Sequence, residues 1–257
     1  DTLDPDALVR LEPALAPVAS QFHAGLRFPA HESGDARSFS REAARRAGEL
    51  GAALRLGHRV TGLELVDGRL KGIETDHGTI DADRVILCTG TDTGSLLDPL
   101  GLRVPIYPVQ GYSMTIAVDG DGPAPRLPIL DLERRFVTAR LGPNRLRIAG
   151  LSDFTGGDTT LHPERLAVLK QSASALLPKL ADAIRAGGED WTGLRPMTPD
   201  GPPLIGPTPI EGLWLNTGHG AMGWTMAAGS ADVLADRLLG NPPKISTEGL
   251  DAERVFA

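Results

Sequence analysis

Residues 213–240 decide the fold class, and they read LWLNTGHGAMGWTMAAGSADVLADRLLG. The apolar start predicts a β-strand, the glycines predict a tight turn, and the remainder has the composition of an α-helix. Gly218, Gly220 and Gly223 match the spacing G-x-G-x-x-G of dinucleotide-binding turns. Two observations argue against a complete βαβ unit: only 34 residues follow Gly223, without a convincing second strand, and Asp236 lies inside the helix. The stretch therefore predicts strand, turn and helix without the dinucleotide fingerprint.

The glycine turn nevertheless has the properties of a ligand site. Glycines let a backbone approach a flat ligand closely, and the helix N-terminus behind them offers free N–H groups and a partial positive charge. A flavin ring gains negative charge near N1 and C2=O when it is reduced, and such a turn stabilises that charge. The alternative is a glycine-rich connection that binds nothing, and the turn alone does not separate the two.

A helix and a β-meander are predicted in the first third of the chain. Residues 3–15 have the composition of a helix already under way, and Ser38 is the predicted N-cap of a second helix. Three alternating stretches follow, joined at Asp67-Gly68 and at His77-Gly78, and these dipeptides predict an antiparallel three-stranded meander. The apolar positions of the second helix are Phe39, Ala43, Ala47 and Leu50.

Further along, a buried strand precedes a β-rich centre. The apolar run 85–88 before Thr-Gly predicts a central parallel strand covered on both faces, with Cys88 as a buried small hydrophobe. Residues 105–157 are mostly strand-like, Pro163 opens a helix with an apolar leucine face, and a last helix runs from about Trp224 to Leu239. The predicted fold class is α/β with α+β character: an incomplete nucleotide-binding, Rossmann-like domain with the meander, plus a mostly antiparallel sheet domain with helices. The leucine face comprises Leu166, Leu169, Leu176, Leu177 and Leu180.

Composition excludes several classes of function. The 257 residues carry 26 Lys and Arg against 33 Asp and Glu, a formal net charge of -7, which argues against a nucleic-acid partner. No apolar run approaches the roughly 20 residues of a membrane-spanning helix. The single cysteine excludes an internal disulfide and a multi-cysteine metal site, so no metal is expected. A cytoplasmic location fits this composition.

Several segments, in order along the chain, resemble the D-amino-acid oxidase and dehydrogenase family, and its bacterial D-amino-acid dehydrogenase branch most of all. NTGHGAMGWTMAAGSADVLAD is similar to the segment that holds the flavin ring, and WTGLRPMTPDGPPLIG resembles the family's Gly-Leu-Arg-Pro segment. ADRVILCTG resembles its second flavin motif; HESGDARSF, VQGYSMTI and RLRIAGLSDF resemble other stretches of the branch. The resemblance implies an FAD-binding domain over 34–100 and 198–245, and a substrate-binding domain over 1–33 and 101–197.

The resemblance also implies roles for individual residues. Arg195 is the expected ligand of the substrate carboxylate, because a planar guanidinium grips a carboxylate with two parallel hydrogen bonds; the alternative is an ordinary salt-bridge arginine. Val60 is expected to meet the adenine through its backbone, and Thr89 and Gly90 to lie beside FAD. Tyr112 is a candidate substrate contact, with core packing as the alternative, and Met114 and Trp224 are candidates for the side-chain pocket. The residues expected to contact the flavin ring are Gly218, His219, Gly220, Met222, Gly223 and Thr225.

The implied reaction is oxidative deamination of a D-amino acid by hydride transfer from Cα to flavin N5, giving a 2-oxo acid and ammonia. Its catalysis is mainly orientation and stabilisation of the reduced flavin. The electron acceptor is expected to be a quinone or the respiratory chain, with oxygen as another candidate, and the protein can lie at the periphery of the inner membrane. The alternatives are a glycine- or sarcosine-oxidase-like amine oxidase and a non-catalytic subunit without FAD.

One family feature is not found in this sequence. Residues 1–60 contain neither the Gly-rich turn that holds the FAD pyrophosphate nor the acid that binds its ribose. The chain therefore resembles about the last three-fifths of a family member. We expect a fragment, or a protein whose missing part comes from a partner chain, that by itself holds FAD weakly or not at all.

Overall fold

The structure is a computed structural model that describes residues 1–256. The α-helices are α1 Pro5–Leu11, α2 Ala36–Glu49, α3 Thr93–Leu97, α4 Pro163–Leu176, α5 Ala181–Ala186 and α6 Gly223–Leu239. The strands are β1 Thr2–Leu3, β2 Gly25–Leu26, β3 Val60–Val66, β4 Arg69–Thr75, β5 Gly78–Asp81, β6 Val85–Leu87, β7 Tyr107–Ala117, β8 Ile129–Asp131, β9 Phe136–Arg140, β10 Arg145–Phe154, β11 Glu189–Met197, β12 Leu204–Pro207 and β13 Leu213–Thr217. Short 3-10 helices cover Pro13–Gln21, Gly90–Asp92, Asp98–Leu100, Pro178–Leu180, Gly220–Met222 and Ala252–Val255.

The chain folds into two units that each consist of separate stretches of sequence. Unit 1 comprises Asp1–Ala43, Gln110–Asp153 and Asp158–Gly193. Unit 2 comprises Ala44–Val109, Phe154–Gly157 and the chain from Leu194 onward. The assignment of one part to FAD and the other to substrate stays a prediction, because it concerns ligands.

Unit 1 is built on a sheet with the strand order β11-β7-β10-β9-β8. Strands β9 and β10 pair antiparallel, with Ile148 opposite Thr138 and Gly150 opposite Phe136. The leucine face of α4 packs into the core of this unit, together with Phe136 and Ile148. Each fully buried side chain of this size contributes about 1.5–3 kcal/mol. The burial of all five predicted leucines is confirmed, but only Leu166, Leu169 and Leu176 belong to α4, because the helix ends at Leu176 and the chain continues through Leu177 into the 3-10 helix Pro178–Leu180.

Unit 2 combines the meander with a second sheet. Strands β3, β4 and β5 pair in that order, and Asp67 and Gly68 form the first hairpin turn with φ of 51° and 77°, as their sequence predicts. In the second sheet, β6 lies parallel to β13, with Ile86 opposite Trp214, and β12 pairs antiparallel on the other side of β13. Helix α6 packs through Val233 and Leu234 against Trp214 and Ile205. Together with unit 1, this confirms the predicted fold class.

Four local predictions need correction. The first helix begins within the chain, at Pro5, because the Asp4 carboxylate accepts a hydrogen bond from the Ala7 amide at its N-terminus. Helix α2 begins two residues before Ser38, because the Asp35 carboxylate accepts hydrogen bonds from the amides of residues 37 and 38. Cys88 is exposed. Ile86 is 38% exposed, so the run 85–88 is not covered on both faces.

The apolar positions of α2 do not enter a core. None of the residues of this helix is buried, Phe39 is 55% exposed, and Leu50 directly after it is 86% exposed. The periodicity in the sequence therefore predicts the helix correctly but does not predict its burial, since burial requires a partner surface.

Candidate functional site

The glycine turn lies between the end of β13 and the start of α6, in unit 2. Gly218 and Gly220 adopt φ of 77° and 54°, a region that residues with a Cβ avoid. A Cβ on Gly218 would lie 2.8 Å from Cγ2 of Thr198, and one on Gly220 would lie 2.8 Å from Sδ of Met197. Both glycines are therefore required by conformation and by close packing.

The segment that carries Arg195 lies directly beside this turn. Met197 at the end of β11 forms an antiparallel bridge with His219. Because side chains alternate along a strand, Arg195 and Met197 share one face of β11, and Met197 borders Gly220. The structure therefore brings the predicted guanidinium strand and the predicted flavin turn together.

The Arg195 side chain is only partly accessible. Burial lowers the pKa of its guanidinium from the ordinary value, but an arginine stays charged at neutral pH. A partly desolvated guanidinium binds a carboxylate more strongly than a fully hydrated one does, because the local dielectric constant is lower. This setting suits the recognition of a small carboxylate ligand.

The Thr-Gly turn after β6 is joined to the same end of β13. The Thr93 hydroxyl lies 3.1 Å from the Thr217 hydroxyl and donates to the carbonyl of Gly90 at 2.8 Å. Thr89 also contacts the Thr93 hydroxyl, at 3.0 Å. Thr89 and Gly90 therefore lie near the glycine turn, and their expected place beside FAD stays a prediction. Sequence reasoning missed the two buried threonines Thr93 and Thr217, because no local pattern shows that distant hydroxyls meet.

The imidazole ring of His219 is held by a hydrogen bond to helix α6. Its Nε2 lies 2.9 Å from the hydroxyl of Ser230, which also contacts the carbonyl oxygen of Met226 at 2.8 Å. Burial lowers the pKa of the imidazole below its ordinary value, so the neutral ring is favoured. Ser230 was missed from the sequence, where it is one of several small residues in the last helix.

The start of α6 is open to a ligand. None of the described side chains caps its first turn, so its first amides remain available to a ligand. The helix is 17 residues long, and the positive end of its dipole lies at these amides. Gly223 is the first residue of the helix, and Met222 and Thr225 on either side of it are exposed. These residues form a glycine-lined surface with hydrogen-bond donors, which fits a flat, electron-accepting ring.

Three predicted site residues lie in other surroundings. Val60 opens β3, opposite Thr75, and belongs to the meander rather than to the sheet that carries the glycine turn. Tyr112 is 1% exposed in the core of unit 1, beside Met114 and Ile116, and its hydroxyl has no hydrogen-bond partner among the described residues. This position is the one expected if Tyr112 serves core packing, the alternative given above. A contact between Tyr112 and the substrate stays a prediction. Met114, which is fully buried in the same core, is placed in the same way.

Comparison with known proteins assigns the chain to a family. A family model described as FAD dependent oxidoreductase (DAO) matches residues 1–237. The chain therefore belongs to the DAO family of FAD-dependent oxidoreductases.

Among curated relatives, the chain is similar to proteins named D-amino acid dehydrogenase. It is 44% identical over 255 residues to the one from Xanthobacter autotrophicus and 42% identical over 257 residues to one from Cereibacter sphaeroides. These alignments cover 99% and 100% of this chain but 60% and 58% of the two relatives. The chain thus spans less than two thirds of their length.

Solved structures share the fold. The chain superimposes on L-proline dehydrogenase from P. horikoshii with a TM-score of 0.88 at 20% identity, covering 99% of this chain and 68% of that one. Iminodiacetate oxidase from Chelativorans sp. BNC1 gives a TM-score of 0.83 at 27% identity, covering 98% and 66%. Within residues 1–256, no helix is long and apolar enough to cross a membrane, and no group of three or more metal-ligating side chains is present.

Proposed function

We propose that this chain contributes the flavin-ring and substrate-carboxylate sites of an FAD-dependent dehydrogenase that oxidises D-amino acids to 2-oxo acids and ammonia. The observation that carries the proposal is the bridge between Met197 and His219, which sets the Arg195 strand against the glycine turn. The identity of 42–44% to relatives named D-amino acid dehydrogenase supports the choice of substrate class.

The residues of the turn fit an isoalloxazine. The uncapped first amides of α6 present donors and the positive end of the helix dipole beside the exposed residues Met222 and Thr225, while Gly218 and Gly220 allow the turn to pack closely on Thr198 and Met197. Thr225 in the first turn of that helix would add a hydroxyl or an amide at the ring's pyrimidine edge. Thr89 and Gly90 would lie beside the same cofactor, and Val60 would meet its adenine. When bound, FAD would accept the hydride that leaves the substrate Cα.

Arg195 performs the substrate-binding part of the reaction. Its guanidinium grips the carboxylate with two hydrogen bonds and so orients the Cα–H bond toward the turn, which converts binding energy into alignment. The amine reacts in its neutral form, the carbon loses a hydride, and the resulting imino acid takes up water to give the 2-oxo acid and ammonia. No acid or base from the chain is needed for the hydride step itself.

The overall oxidation also requires an electron acceptor. A quinone or the respiratory chain is the acceptor that we propose, with oxygen as the competing one, and contact with a membrane quinone would require the protein to reach the inner membrane surface. Measuring turnover with a soluble quinone analogue against turnover with oxygen alone tests this choice; turnover that depends on oxygen would contradict it.

The experiment that tests the proposed function is anaerobic flavin reduction. The protein loaded with FAD should lose its visible flavin absorbance when D-alanine is added, and L-alanine serves as the matched control. Release of ammonia in proportion to the electrons transferred completes the test. If FAD is bound but only glycine or sarcosine reduces it, the alternative amine oxidase is correct. A protein that also includes the family's Gly-rich, pyrophosphate-binding turn should contain flavin. If it contains none, the proposal is contradicted.

A further inference from the structure

The hydrogen bonds at Ser230 determine which nitrogen of His219 carries the proton. The Ser230 hydroxyl lies 2.8 Å from the carbonyl oxygen of Met226 and 2.9 Å from Nε2 of His219. A carbonyl oxygen can only accept, whereas a ring nitrogen can either donate or accept. Because the hydroxyl has a single proton, that proton goes to Met226, and His219 must donate from Nε2. Ser230 is 6% exposed, so bulk water does not compete for these bonds.

This assignment leaves the other ring nitrogen as an acceptor. Burial favours the neutral imidazole, so Nδ1 carries a lone pair rather than a second proton. Within residues 1–256, Nδ1 makes no hydrogen bond. His219 therefore brings an unused acceptor to a turn whose other free polar groups, the first amides of α6, are all donors.

A flavin needs both kinds of partner. The oxidised isoalloxazine carries several acceptors, including C2=O and C4=O, but only one ring N–H, at N3. Backbone amides satisfy the acceptors, and a donor left without a partner on binding would weaken the complex. An acceptor in the turn removes that cost.

We propose that Ser230 is a positioning residue that holds His219 as the Nε2–H tautomer, so that Nδ1 accepts a hydrogen bond from the ring N–H of the bound flavin. The inference rests on the proposed function for the identity of the ligand. It assigns His219 a role in cofactor binding and none in proton abstraction from the substrate.

The tautomer is tested first, without reference to activity. In the protein labelled with ¹⁵N histidine, the ring shifts of His219 should show a protonated Nε2 and an unprotonated Nδ1. Ser230→Ala removes the acceptor for Nε2–H and should produce a mixture of tautomers, whereas Ser230→Thr keeps a hydroxyl and should restore the Nε2–H form. Ser174→Ala is the matched control and should change nothing, because it removes a buried hydroxyl that has no hydrogen-bond partner within residues 1–256. An unchanged tautomer in Ser230→Ala would overturn the inference.

The ligand is tested by comparing FAD with FAD methylated at N3. The unsubstituted protein should bind the methylated cofactor about fivefold more weakly, the loss expected for one neutral hydrogen bond. In Ser230→Ala the affinity for FAD should fall by a similar factor and the preference for FAD should shrink toward unity. Equal binding of the two cofactors by the unsubstituted protein would overturn the assigned partner of Nδ1. Failure of the protein that also carries the family's pyrophosphate-binding segment to bind either cofactor would instead contradict the proposed function, and the ring shifts would still report on the Ser230 contact.

Discussion

At the scale of single residues, the site depends on one charge and on two glycines. Arg195 is the one cationic residue of strand β11, which borders the turn, and it is partly desolvated. Gly218 and Gly220 let the turn pack closely on its neighbours, because a Cβ at either position would lie 2.8 Å from a neighbouring side chain. The charge and the glycines serve different ligands, so their substitutions should have different effects.

Replacement of Arg195 by alanine should weaken amino-acid binding by about 100-fold or more, since two charge-assisted hydrogen bonds are lost. Retention of FAD should not change, because the guanidinium serves the substrate. A rapid-kinetic titration of flavin reduction with D-alanine gives the first quantity, and the visible spectrum after gel filtration gives the second. Arg195→Lys keeps the positive charge but loses the two parallel N–H donors of the guanidinium, so it should recover only part of the affinity for the amino acid. Parallel loss of substrate and flavin would contradict the assigned role.

Replacement of Gly220 by alanine should destabilise the protein by about 1–3 kcal/mol, because its φ of 54° disfavours a Cβ and the Met197 sulfur must move. Chemical denaturation followed by tryptophan fluorescence measures the change. Gly229→Ala in the middle of α6 is the matched control: nothing lies within 4 Å of the added Cβ, so a gain of about 0.5–1 kcal/mol is expected. A neutral Gly220→Ala would show that the turn tolerates a side chain.

At the scale of elements, buried carboxylates and hydroxyls connect segments that lie far apart in the sequence. Glu12 precedes the 3-10 helix Pro13–Gln21 and is only 3% exposed. One of its oxygens accepts from the Ala14 amide at 3.2 Å, and the other accepts from the amides of Arg126 and Leu127 at 2.7 and 2.9 Å. This carboxylate thereby ties the N-terminal helices to the segment before β8 within unit 1.

Glu12→Ala should therefore destabilise unit 1 by about 2–4 kcal/mol, because it leaves three backbone amides without their acceptor. Glu12→Gln should cost less but still more than 1 kcal/mol, since one acceptor oxygen is exchanged for an NH₂ donor. The free energy of unfolding measures both. Glu211→Gln breaks an exposed ion pair with Arg69 and should change stability by less than about 1 kcal/mol. If the Glu12 variants behave like this control, the carboxylate does not support the fold.

At the scale of the whole molecule, stability should depend on pH through His219. Its pKa in the folded protein lies below the ordinary value of 6.5, because burial disfavours the charged ring. The unfolded chain therefore takes up the proton more readily than the folded one does. The stabilisation is complete above about pH 6.5 and is lost as the pH falls through 6.5 toward the lower folded pKa.

Unfolding experiments between about pH 7.5 and pH 5 should accordingly show a falling free energy of unfolding, with part of the slope due to His219. His219→Gln should flatten that part, because glutamine can still donate to Ser230 but does not titrate. Hydrogen bonds from Thr160 lower the pKa of the Asp158 carboxyl to about 2. Its titration therefore changes the free energy of unfolding only below about pH 4, outside the range in which His219 is tested. Identical slopes with and without His219 would contradict the burial effect.

Much of the architecture follows from local signals in the sequence. Asp67-Gly68 forms the predicted hairpin, Pro163 opens the predicted leucine-faced helix, and the strand, turn and helix of 213–240 have their expected order. These features depend on backbone preferences and on side-chain periodicity, which a short window contains. Arg195 and the glycine turn were likewise predicted as one site, through the resemblance to the DAO family.

The features that were missed or wrongly predicted are those that depend on distant partners. The exposure of Cys88 and of the apolar positions of α2 is decided by what packs against them, and the meeting of Thr93 with Thr217 or of His219 with Ser230 requires the folded chain. The sequence by itself determined the elements, the glycine-lined turn and the guanidinium. Only the tertiary structure decided which polar groups face one another, because hydrogen bonds and burial belong to pairs of residues and no single stretch of sequence contains both members.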